Sequence, residues 1–354
     1  MKGLIFSIIC LSSIAIQAQT LSGYSQENSE TQLQLEDEFR KKINKANFKT
    51  HLQTLTEHPH IAGTPANEKV KDYIVESMSQ AGLDVDTYPY EVYMSSGPGE
   101  SLVEIITPES KKLDQQEKAV AQDPFSKHPE LLKGWNAYSG NGDITAQVVY
   151  ANYGTNADFE RLEDMGVQIK DKIVIARYGG NFRGYKAKFA EAFGAKGLII
   201  YTDPKDSGFT KGLVFPEGVY YNDSGIQRGS LLTADWTGDP LTPYQPALPR
   251  DRKDSPERLD PSEAGLHNIP VTPISYGAAD HIFKHMKGDA VPQNWQGGLP
   301  YTYRLEGGED LKIRLKVNQP KSFKEVYNIV GTLRGETHPD EWIILGCHYD
   351  AWAF

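Results

Sequence analysis

Apolar residues near the start of the chain recur with a helical period. Thr64 and Pro65 predict a helix start, because a hydroxyl N-cap followed by proline at the first helical position is a favoured combination. Gly82 is a typical helix end. The apolar residues between them follow helical spacing: Val70, Tyr73, Ile74, Met78 and Ala81. We predict a helix here, an earlier helix over 36–55 and a strand over 83–93.

The middle of the chain alternates between short apolar runs and helical patterns. Residues 202–270 interrupt this α/β pattern with Pro- and Gly-rich sequence, which predicts long loops. The predicted strands are 146–150, 172–178, 197–201, 269–274 and 311–317, and the predicted helices are 156–165, 184–193 and 278–286.

The last part of the chain predicts two strands, 326–333 and 342–347, joined by turn residues over 335–340. His348, Tyr349 and Asp350 follow directly, at the carboxyl end of a predicted strand, where open α/β sheets place their ligands. Two strands and about two helices are too few to bury both faces of such a sheet. We therefore expect this α/β domain to be incomplete in the sequence.

The N-terminus predicts export. Lys2, an apolar run to Ile16 and a small-residue cleavage site at 16–18 are typical of a signal peptide over 1–18. The run is shorter than the ~20 residues of a transmembrane helix. Residues 19–35 are polar and predict a flexible leader. We expect a secreted or periplasmic protein with no membrane span after cleavage.

Charge excludes two classes of partner, and cysteine content excludes an intrachain disulfide. The chain carries 37 Lys and Arg against 47 Asp and Glu, a net charge of −10. Nucleic acids and anionic membranes need a basic face, so neither is an expected partner, whereas a small peptide substrate remains compatible. Cleavage after residue 18 removes Cys10 and leaves only Cys347, so no intrachain disulfide can form.

His348 and Asp350 form the sharpest candidate site. A neutral imidazole ligates zinc well, and a nearby carboxylate can fix its tautomer. By spacing alone, a structural His–Asp pair is the more common interpretation. Cys347 should point away from His348 along a strand, and we expect it to be a buried bystander.

Two loops offer further candidates. Arg183 stands where a loop enters a helix, a place from which it could clamp a carboxylate, although a solvated surface arginine is the commoner case. The turn at 239–244 is rich in oxygen atoms and could bind calcium, although an ordinary double-proline turn is the simpler interpretation.

Taken together, eight stretches in order resemble the family of glutamate carboxypeptidase II and the transferrin receptor, and the resemblance covers most of 36–354. They are PHIAGT (59–64), DKIVIARYG (171–179), FRG (182–184), GAKG (194–197), QRG (227–229), GDPLTP (238–243), YNIVGTLRG (327–335) and GCHYDAW (346–352).

The resemblance implies a zinc-exopeptidase α/β domain, discontinuous over 36–93 and 323–354, interrupted by a protease-associated α+β domain over 94–322. It implies two zinc ions in a full-length parent, with His348 as the first zinc ligand and Asp350 orienting it. The other ligands and the general base would lie beyond Phe354, so we expect the chain as given to be an inactive N-terminal fragment.

Further roles follow only from the resemblance. Arg183 matches an arginine that binds the substrate's terminal carboxylate, Ser230 stands where glutamate-releasing members carry Asn, and Tyr349 replaces an Arg. Thr242 and Tyr244 fall near calcium ligands, and family members often form homodimers. The implied function is a secreted carboxypeptidase-like metalloprotease acting on acidic peptides. The alternative is a non-catalytic, receptor-like binding protein.

Overall fold

The computed structural model describes residues 21–353, which form two compact units divided between Leu55 and Thr56. The predicted signal peptide lies outside the described residues. No helix within 21–353 combines the length and apolar character needed to cross a bilayer.

The first unit contains two helices, α1 (Gln26–Lys42) and α2 (Lys45–Leu55). Ser25 caps α1 by accepting a hydrogen bond from the Asn28 amide. The helix thus begins inside the stretch for which the sequence predicts a flexible leader. A hydroxyl cap and an ion pair one turn apart, between Arg40 and Glu36, favour a helix that has no apolar period. The single helix predicted over 36–55 is divided at residues 43–44.

The second unit contains the remaining elements. Its helices are α3 (Pro65–Gln80), α4 (Asn156–Asp164), α5 (Arg183–Ala192), α6 (Pro204–Ser207) and α7 (Tyr276–Phe283). Its strands are β1 (Asp84–Ser95), β2 (Glu100–Thr107), β3 (Lys111–Lys112), β4 (Asn136–Ala137), β5 (Gly142–Tyr150), β6 (Ile173–Arg177), β7 (Gly197–Tyr201), β8 (Gly229–Ser230), β9 (Val271–Ile274), β10 (Lys287–Ala290), β11 (Arg304–Glu306), β12 (Lys312–Asn318) and β13 (Lys321–Thr332).

β1 and β13 form an antiparallel pair on which α3 packs. Thr64 caps α3 as predicted, and Gly82 has a positive φ of 86° just after it. The pairing runs from Asp84 opposite Thr332 to Ser95 opposite Lys321. The chain therefore leaves this pair and returns to it at the same place.

Between β1 and β13 the chain builds a larger mixed sheet. Within the described residues it has nine strands, with the main order β3-β2-β12-β5-β6-β7-β9 and with β11 joining β5 to β10. β5, β6, β7 and β9 are parallel neighbours, whereas β12 is antiparallel to β2 and β5. All residues of β6 and β7 are buried, as expected for parallel strands covered on both faces. The predicted α/β class is confirmed.

The predicted strand over 342–347 is wrong. These residues have no strand partner within 21–353, and the side chains of Trp342, Ile343, Ile344 and Leu345 are 81–94% exposed. Cys347 is exposed as well, which corrects the expectation of a buried thiol. The apolar run satisfies the pattern of a strand, but it lacks the neighbouring strand that would bury it.

Candidate functional site

Arg183 is the first residue of α5, directly after the loop that follows β6. One of its terminal nitrogens, Nη1, donates to the backbone oxygen of Ser230 at 3.4 Å. Its guanidinium lies 5.9 Å from the ring centre of Tyr178 and 5.3 Å from that of Phe182. The structure therefore brings together Arg183 and Ser230, the two residues predicted to contact substrate.

Gly229 leaves room for this arginine. A Cβ added to Gly229 would lie 2.4 Å from the Arg183 guanidinium carbon, and Gly229 has a φ of 150°. Only glycine adopts that backbone conformation readily. Ser230 Oγ accepts a hydrogen bond from the Leu232 amide at 3.0 Å. Within the described residues, the buried Nε of Arg183 has no hydrogen-bond partner.

A buried polar network supports the other side of the site. β4 pairs with β8 in parallel, with Asn136 opposite Gly229. The Asn136 amide nitrogen donates to Tyr178 Oη at 3.0 Å and to the Gly229 oxygen at 3.2 Å. Tyr178 donates in turn to the Gln227 oxygen at 2.8 Å. Burial raises the pKa of Tyr178 to about 12, so its hydroxyl remains a donor at neutral pH.

His348 lies in the C-terminal stretch with its side chain 79% exposed. Its Nδ1 is 2.8 Å from the backbone oxygen of Asp350 and 3.6 Å from the carboxylate. We predicted that the Asp350 carboxylate would orient His348. In the structure the backbone oxygen of Asp350 is the closer of the two to Nδ1. In a neutral imidazole, donation from Nδ1–H to that oxygen leaves Nε2 as the nitrogen with a free lone pair, the form in which imidazole binds a metal.

The residues after His348 dock onto the rest of the second unit. Tyr349 Oη donates to the Tyr327 oxygen at 3.1 Å, and the Ala351 amide donates to the His60 oxygen at 3.3 Å. Trp352 packs edge-on against Trp135, with ring centres 4.9 Å apart.

Trp135 and Asn136, at the start of β4, lie between the surroundings of Arg183 and the segment that follows His348. Trp135 contacts Trp352, and the next residue, Asn136, contacts Tyr178 and Gly229 beside Arg183. The surroundings of Arg183 and the segment that follows His348 thus meet at two adjacent residues, Trp135 and Asn136.

The turn with Thr242 and Tyr244 is partly buried. Both carboxylate oxygens of Asp239 accept backbone N–H groups, from Tyr93 at 2.6 Å and Leu241 at 2.9 Å. Thr242 Oγ1 is buried without a hydrogen-bond partner among the described residues. Tyr244 has a φ of 59° and is 74% exposed, with its hydroxyl directed at the Asp235 oxygen. The calcium role of Thr242 and Tyr244 stays a prediction.

The described residues do not form a complete metal centre. Within 21–353, no group of three or more His, Cys, Asp and Glu side chains is placed to hold a metal ion. Zinc usually takes four ligands, and His348 offers one.

Comparison with known proteins finds a matching domain family and several relatives of the chain. The PA domain family matches residues 144–233, which include Arg183 and Ser230. The glutamate carboxypeptidase 2 homolog of Caenorhabditis briggsae is 38% identical over 327 residues, covering 88% of this chain and 42% of its own length. Over most of its length the chain is therefore similar to glutamate carboxypeptidases. Aminopeptidase NAALADL1 of Mus musculus is 30% identical over 371 residues, covering 98% of this chain and 48% of its own.

The chain therefore spans about half the length of the curated family members that it matches. Among solved structures, an aminopeptidase from Aneurinibacillus sp. strain AM-1 matches 84% of this chain and 50% of its own, at 19% identity and a TM-score of 0.45. A similarity at that level says nothing about activity.

The residues that surround Arg183 in the fold could not be recognised from the sequence. Asn136 and Trp135 lie in a stretch with no regular pattern. The tripeptide at 227–229 belongs to the family resemblance. The need for glycine at position 229 follows only from the short distance between Gly229 and the Arg183 guanidinium.

Proposed function

We propose that this chain is part of a zinc-dependent exopeptidase that hydrolyses terminal peptide bonds of acidic peptides. The names of its relatives, a glutamate carboxypeptidase homolog and an aminopeptidase, support the reaction class. The observation that supports binding of a substrate carboxylate is the half-buried Arg183, held beside Ser230 with a buried Nε that has no partner within the described chain.

Arg183 would bind a carboxylate of the substrate. A guanidinium presents donors in a planar fork that matches a carboxylate, and partial burial strengthens that pairing. Ser230 reaches less far than the Asn that the family resemblance implies at its position, so the substrate carboxylate would depend more on Arg183. Positioning one end of the peptide fixes where the reacting bond lies.

His348 would supply the first ligand to the two zinc ions that the resemblance implies, with Asp350 fixing its tautomer. When bound, zinc would polarise the peptide carbonyl and activate water. Because His348 is the single ligand offered here, we propose that residues 21–353 do not catalyse the reaction alone.

The first test replaces Arg183 with Ala in a catalytically active, full-length protein. We expect KM to rise roughly tenfold or more for peptides with a free C-terminal carboxylate, because a partly buried charge-assisted hydrogen bond is lost. Arg314→Ala is the matched control, since Arg314 is an arginine on β12 that pairs with Asp143. Equal KM values for Arg183→Ala and the parent protein would rule out the carboxylate-binding role.

A receptor-like binding protein is the outcome to exclude. It would show no peptide hydrolysis with zinc present, even in a full-length protein carrying His348.

The pairing of β1 with β13 supports the proposed domain division. Tyr93 and Phe323, the boundary residues of the two peptidase segments, lie opposite each other in the β1–β13 pair with ring centres 5.5 Å apart. We propose that 94–322 is an insertion between these segments. Secretion after cleavage at residue 18, homodimer formation and calcium binding stay predictions.

A further inference from the structure

Lys186 is a buried charge that the proposed function does not yet use. It lies in the first turn of α5, and its side chain is completely buried. Its ammonium donates to the Gly179 oxygen and to Asn181 Oδ1, each at 2.6 Å, and to the Tyr153 oxygen. Three acceptors match the three N–H donors of a charged lysine.

The three oxygens belong to two loops, which follow the neighbouring parallel strands β5 and β6. These loops are in close contact, because a Cβ on Gly180 would lie 2.6 Å from Tyr153 Cβ. The Asn181 amide nitrogen also donates to the Gly154 oxygen at 3.2 Å. Two of the three acceptors lie within the four residues before Arg183, so the ammonium fixes the segment that leads into it.

The start of α5 lacks the usual means of fixing a helix end. Its N-cap residue, Phe182, provides no side-chain hydrogen bond. A positive charge in the first turn is disfavoured by the helix dipole, so the dipole does not explain a lysine here. Burial lowers the pKa of Lys186 to about 7 by removing water from the ammonium, so the form with three N–H donors, which matches the three oxygens, predominates below that pH.

We propose that Lys186 is a positioning residue. Its hydrogen bonds fix the loop before α5 and so hold Arg183 in the position from which it binds a carboxylate. This inference rests on the proposed role of Arg183. Lys186 fixes the loop side of the arginine, while Gly229 and Ser230 fix its guanidinium side. Loss of the ammonium leaves carbonyl oxygens of two loops without their buried donor, so the loop shifts and carries Arg183 with it.

The test follows Arg183 directly by NMR. The Nε–Hε signal of Arg183 is assigned by its loss in Arg183→Lys. In Lys186→Met we expect this signal to shift by several linewidths or to broaden beyond detection. Lys321→Met is the matched control, since Lys321 is a half-buried lysine that donates to a backbone oxygen outside this loop, that of Ser139 at 2.8 Å. It should leave the signal in place.

Asn181→Ala keeps the proposal testable where Lys186→Met does not fold. It removes one acceptor and retains the lysine, so we expect a smaller change of the same signal. An unchanged Arg183 signal in every folded variant of this pair would overturn the positioning role.

Kinetics in an active, full-length protein separate this inference from the proposed function. Lys186→Met should raise KM about fivefold for peptides with a free C-terminal carboxylate, leave kcat nearly unchanged, and leave amidated peptides unaffected. If Arg183→Ala leaves KM unchanged, the carboxylate-binding role fails, and the NMR result still decides whether Lys186 positions Arg183. If Arg183→Ala raises KM and Lys186→Met does not, the positioning role alone fails.

Discussion

Strand β6 and the run Trp342–Leu345 look alike in sequence and differ completely in the structure. Both are short apolar stretches of the kind that predicts a buried strand. Every residue of β6 is buried between β5 and β7. The side chains of Trp342, Ile343, Ile344 and Leu345 are more than four-fifths exposed.

The difference teaches that an apolar run becomes a strand only where other strands receive it. β6 exchanges backbone hydrogen bonds with a parallel neighbour on each side, and α5 packs against the neighbouring strand β7. The C-terminal run has no such neighbours within 21–353. Its apolar side chains therefore contribute little to the stability of the described structure.

Substitution of matched isoleucines tests this contrast and should give the largest effect. Ile175→Ala in β6 should lower the free energy of unfolding by roughly 2–5 kcal/mol, because it leaves a cavity beside fully buried neighbours. Ile344→Ala should change it by less than about 0.5 kcal/mol. Urea denaturation measures both, and Ile175→Val gives a milder variant. Comparable losses at the two positions would show that the C-terminal run is buried in solution.

A smaller loss of stability is expected from a substitution at Trp352, where the C-terminal stretch contacts the rest of the second unit. Trp352→Ala removes the ring contact with Trp135, which we expect to cost about 1–2 kcal/mol, less than a core substitution because Trp352 is only partly buried. The amide of Ala351, which donates to the His60 oxygen, should then exchange with solvent faster. Trp342→Ala is the control from the exposed run. Unchanged exchange at Ala351 would mean that Trp352 does not anchor this segment.

The same contrast explains how much could be predicted. The helix starting at Pro65 and the strand Gly197–Tyr201 follow from local signals, a cap with a proline and a buried run bounded by glycine, and both are confirmed. β2 was not predicted, although buried and more exposed positions alternate along it as in a half-buried strand. The pairing of β1 with β13 depends on residues more than 200 positions apart, and no local pattern carries it.

The candidate site was predictable only where the family resemblance reached. Arg183 and Ser230 come together as that resemblance implies. Asn136 and Lys186 were not predictable, because their importance depends on which backbone oxygens the fold places around them. Side chains of this kind have no spacing rule in sequence.

The smallest expected effect is a loss of stability in acid, caused by a histidine buried in the second unit. His267 is buried, and its Nε2 lies 2.9 Å from the Leu231 oxygen, while Glu191 and Lys188 face it from α5. Burial holds the pKa of His267 below its ordinary value of about 6.5, although the Leu231 oxygen and Glu191 oppose that shift.

The sign of the effect follows from that direction. As pH falls through about 6.5, the unfolded chain binds a proton at His267 before the folded chain does, so the free energy of unfolding decreases. His267→Gln, whose amide can still donate to Leu231, should therefore lose less stability between pH 7.5 and pH 5 than the parent protein. If His267→Gln and the parent lose the same amount, burial of His267 is not what makes this region sensitive to acid.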